Sequence, residues 1–177
     1  MSDVIVSIGR DNECVFSSYG NVLFYLEFNG VSTLTLYPPT ILSGVRHLKM
    51  MRDGSYTLIQ IVSGADRKVV KTTGTNFVQG AQIVMGPSYL GAVLMGEILT
   101  VEDSQYAINL AYNEINSSLC FFNHVTMSDV KYARIRGIAP IFSAWPMKGS
   151  DASNFWLFIG VENGTSGQIM LTNLRNP

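Results

Sequence analysis

The chain has 177 residues, enough for one domain with a substantial core and too few for two comfortable ones. Only 14% of the residues are charged and 47% are hydrophobic, where an average globular domain carries roughly 25% charge, so the surface rests on uncharged polar residues and glycine or is covered by other chains. A formal net charge of −1 excludes a global attraction to nucleic acid or to an acidic membrane surface, and apolar residues along the whole length exclude a disordered chain.

The chain begins MSDVIVSIGRDNE, with an acidic residue where a secretion signal needs a basic one and no apolar stretch behind it. This predicts a cytoplasmic protein, or one released by lysis as virus particles are. The longest apolar runs, 91–99 and 138–147, are strand-sized and fall far short of the roughly 20 residues of a membrane-spanning helix.

Four segments then repeat a pattern along the chain. They are NVLFYLEFNGVSTLTLYPP from Asn21, SYTLIQIVSGADRKVVKTTG from Ser55, SQYAINLAYNEINSSLCFFN from Ser104 and SNFWLFIGVENGTSGQIMLTN from Ser153. Each has an alternating apolar run, a polar turn and a second such run. Alternation at period two marks a half-buried strand, so each segment predicts a β-hairpin. The turns are Asn29-Gly30, residues 63–66, residues 113–116 and residues 163–167; Asn-Gly accepts the positive φ of a tight hairpin turn. Residues 45–49 (VRHLK) precede the second hairpin and 130–134 (VKYAR) the fourth, with 3–8 and 81–85 in the corresponding places for the first and third. An additional strand is expected at 14–18, 89–95 and 138–145, and the second unit is expected to lack it. One helical turn is expected around 101–104.

Units of three or four antiparallel strands, near 1–40, 41–76, 77–127 and 128–177, have the size of propeller blades. The chain resembles β-propeller repeat proteins at the level of fold, without a WD or kelch signature. The resemblance implies sheets stacked around a ring, closed within the chain or completed by other subunits, because one blade cannot bury both its faces. The alternative is a β-sandwich or jelly roll.

No linear motif carries catalysis. His47 and His124 are the only histidines, each read as lying in a strand, and no nucleophile elbow, phosphate-binding glycine loop or metal-ligand spacing is present. No cofactor or metal is therefore expected. Cys14 and Cys120 read as buried free thiols, with a disulfide as the other possibility. Glu27, Glu97, Glu114 and Glu162 leave open a hydrolase whose carboxylates meet in space. Charge is concentrated instead. Arg46, Lys49, Arg52, Arg67, Lys68 and Lys71 lie in the second unit, and Lys131, Arg134 and Arg136 in the fourth. With 45–49 matched to 130–134, His47 and Lys49 would face the same way on one blade as Tyr132, Arg134 and Arg136 on another, forming a pocket for an anionic ligand. Ordinary edge protection and salt bridges to Asp53, Asp66 or Asp129 compete with that reading. Trp145, before Pro146 at an expected strand end, is a candidate stacking or interface residue.

These features predict a non-enzymatic binding or assembly module with other protein subunits as partners, such as a homo-oligomeric bacteriophage tail or head accessory protein. The alternatives are a lectin-like module for a glycan or small anionic ligand, and the hydrolase.

Overall fold

The structure, a computed structural model, describes residues 5–8, 13–18, 22–28, 32–51, 54–63, 66–85, 94–100, 105–112, 116–136, 141–148, 154–163 and 166–175, with side-chain environments given for parts of the range 22–130. Among the described residues the chain is strand, turn and short irregular connection, without helix. It forms two compact units, Met1–Pro87 and Ser88–Pro177.

The first unit holds two antiparallel sheets. One runs β1 (Ile5–Ile8), β2 (Glu13–Ser18), β3 (Val22–Phe28) and β4 (Leu34–Leu36), with the short β5 (Thr40–Ile41) also paired to β3. The next runs β6 (Val45–Met50), β7 (Thr57–Ser63), β8 (Asp66–Thr73) and β9 (Val78–Met85). The second unit repeats the plan. Its four-stranded sheet is β10 (Leu94–Thr100), β11 (Tyr106–Tyr112), β12 (Asn116–Asn123) and β13 (Ser128–Arg136), and its three-stranded sheet is β14 (Ile141–Lys148), β15 (Asn154–Asn163) and β16 (Ser166–Arg175). Each sheet is a meander in chain order, and the first strands of consecutive sheets lie beside each other, β1 against β6 and β10 against β14.

All four expected hairpins form. β7 meets β8 with Ser63 opposite Asp66, and β15 meets β16 with Asn163 opposite Ser166. Turn residues 29–31, 64–65, 113–115 and 164–165 lie outside the described residues, as do 89–93 of the expected strand 89–95 and the helical turn expected at 101–104.

The grouping of strands differs from expectation. Residues 81–85 end β9, and 130–134 lie in β13; each is the last strand of its sheet, paired to the strand before it. The expected boundaries after 76 and 127 therefore cut through sheets. The second sheet has its full four strands, and the sheet with three is β14–β16. The cause is that two turns join strands of one sheet at the places where the sequence reading set unit boundaries. β8–β9 and β12–β13 are both closed by four-residue turns whose last residues, Phe77 (φ 52°) and Met127 (φ 56°), sit in the left-handed region without being glycine. Both are buried, so apolar burial offsets the strained backbone. Asn123 supports the second turn by accepting the Val125 and Thr126 N–H groups at 3.0 and 3.1 Å. His124 lies in this turn rather than in a strand, buried, its N–H donated to the Gln105 carbonyl at 2.9 Å.

The core of the first unit lies between its two sheets. Leu23 and Tyr25 of β3 pack with Val45, Leu48 and Met50 of β6, Ile59 and Ile61 of β7, Val70 of β8 and Phe77. Tyr25 stands edge-on to Tyr37 (ring centroids 5.5 Å apart, 84° between planes) and is tilted against Phe77 at 6.1 Å. Thr57, Leu58, Ile59, Gln60 and Ile61 are buried in succession, as are Ala107, Ile108 and Asn109 of β11. A strand with one solvated face alternates, so unbroken burial means that both faces of β7 and β11 are covered.

Candidate functional site

The basic residues near His47 are sorted by register. β6 opens on a bulge: Gly44 has φ +80° and accepts the Val62 N–H at 2.8 Å, and the pairing slips between Val45 and His47, leaving Arg46 exposed. Beyond the bulge, His47 lies opposite Gln60 and Lys49 opposite Leu58. On the other side of β7, Leu58 is opposite Lys71, Gln60 opposite Val69 and Val62 opposite Arg67. Because alternate residues share a face, His47, Lys49, Leu58, Gln60, Arg67, Val69 and Lys71 lie on one side of the sheet. Leu48, Met50, Ile59, Ile61 and Val70 lie on the side that packs against β3.

The result is a cationic face on a buried floor. Leu58, Gln60 and Val69 are fully buried, and Lys49, Arg67 and Lys71 are half-buried around them. Lys71 Nζ stands 3.9 Å from the centroid of the Tyr56 ring, a cation–π contact. Lys68 belongs to the opposite face and donates to Gln82 Oε1 at 3.1 Å. Burial, then the nearby positive charge of Lys49, lowers the His47 pKa from 6.5 to about 4. His47 is therefore neutral at pH 7, and the cationic character of this face comes from Lys49, Arg67 and Lys71.

The two sets matched in the sequence hold different places. His47 and Lys49 lie on β6, the first strand of its sheet; Tyr132, Arg134 and Arg136 lie on β13, the last strand of another sheet in the other unit. Equivalence between them does not hold. The partners that the sequence reading missed for Lys49 are Arg67 and Lys71, and their signal was present: period two in RKVVK, with a short hairpin setting the register. Trp145 lies inside β14, opposite Phe158, and Pro146 continues the strand opposite Leu157, so Trp145 is not at a strand end. A proline there suits a strand paired on one side. Trp156 lies within β15 as expected. The side-chain environments of Tyr132, Arg134, Arg136 and Trp145 lie outside the described residues.

The remaining candidate residues lie apart from this face. Cys120 is a buried free thiol. Glu27 is exposed and accepts the Tyr37 hydroxyl at 2.7 Å. Among the described residues no group of three His, Cys, Asp or Glu side chains is placed to hold a metal ion, and no helix is long and apolar enough to cross a membrane.

A second feature of the first unit is apolar. Leu34 and Leu36 on β4, Ile41 on β5, and Val78 and Val84 on β9 are each more than half exposed, Ile41 reaching 79%. These are the outer strands of adjacent sheets. Thr40 Oγ1 donates to the Asn76 carbonyl at 3.2 Å, holding β5 to the turn that leads into β9.

No protein-family model matches the chain, and no curated protein matches it in sequence. Solved structures do match. The chain is similar to a candidate 6-phosphogluconolactonase from Bacteroides uniformis, with TM-score 0.63 and 9% identity over 99% of this chain and 55% of that one. A second such protein from Bacteroides fragilis gives 0.60 and 10% over 99% and 55%. Kuenenia stuttgartiensis hydrazine synthase gives 0.55 and 12% over 98% and 62%. At these identities the likeness shows the fold alone, an all-β, propeller-like architecture. The chain spans between 55% and 62% of the length of these three proteins.

Proposed function

We propose that this protein is a non-catalytic assembly module, a structural component of a virus particle of the bacteriophage tail or head accessory kind, that works in contact with other subunits. The observation that carries the reading is the apolar outer edge of the first unit. Leu34, Leu36, Ile41, Val78 and Val84 stand exposed on strands that end their sheets. Soluble monomers scatter exposed apolar residues singly; several on adjacent edge strands mark a surface for another protein. The low charge of the sequence supports the same reading. Light scattering after size exclusion at about 100 µM tests it. Assembly beyond one chain is expected, and Leu36→Lys with Ile41→Lys should weaken it; a monodisperse monomer without a partner in particles or lysates refutes it.

A second reading, binding of a small anionic ligand or acidic glycan, is favoured by the shared face of Lys49, Arg67 and Lys71. Binding of inorganic phosphate or a sialylated glycan, lost in Lys71→Met, would support it, and a blank titration with both would remove it.

A further inference from the structure

We draw no further inference here: the strongest candidate, the face of the second sheet on which Lys49, Arg67 and Lys71 lie together, belongs to the site already described.

Discussion

Replacing His47 with glutamine should make the protein less sensitive to acid. His47 is half-buried on β6 beside Lys49, and its pKa falls from 6.5 in the unfolded chain to about 4 in the folded one. The folded state therefore binds fewer protons than the unfolded state between those values. Stability is fully present above about pH 6.5 and is lost as the pH falls toward 4. From pH 7 to pH 5 this one group removes roughly 2 kcal/mol by proton linkage, and the partial exposure of the imidazole reduces that to about 1–2 kcal/mol. Urea unfolding of the wild type and His47→Gln at pH 7 and pH 5 measures the difference directly. Because both proteins share every carboxylate, acid effects from Asp and Glu cancel in the comparison. The wild type should lose about 1–2 kcal/mol more than the variant, with unchanged slopes against urea. Equal losses, or an NMR titration placing the His47 midpoint near 6.5, would refute the reasoning. Lys49→Met should recover a minor part of the effect, since burial is the larger cause and the lysine charge the smaller.

Two further outcomes probe the fold. Gly44→Ala should destabilise the protein by about 1–3 kcal/mol in urea, because Gly44 has φ +80° and an added Cβ would run into the Val62 carbonyl; a neutral result would deny the bulge that opens β6. Phe122→Ala, at a fully buried position of β12, should cost about 3–5 kcal/mol, read from the same unfolding curves.

Much of the strand pattern was legible in the residues. LEFNG, QIVSGAD and GVENGTSGQ announce their hairpins through alternation and turn chemistry, which are properties of a few adjacent residues. The assignment of strands to sheets was not legible at the outer turns. Residues such as Gly74 and Asn76 mark a turn but do not say whether the next strand stays in the same sheet, which it does after both Phe77 and Met127. The expected boundaries consequently fell one strand early, and that displacement carried 130–134 into a false match with 45–49. The candidate site was affected in the same way. Lys49, Arg67 and Lys71 were all visible as a basic cluster, but only the pairing of β6, β7 and β8 puts them on one face and sends Lys68 to the other.

By itself, then, the sequence determined the all-β class, the four hairpins and the two-residue period that assigns each side chain to a face. Tertiary structure decided which strands share a sheet, which cations meet on one face, and that burial lowers the His47 pKa. The physical reason is one of range. Alternation and tight turns are set by neighbouring residues, whereas register across a sheet, burial from both sides and the fate of an edge depend on residues the chain brings together from far apart.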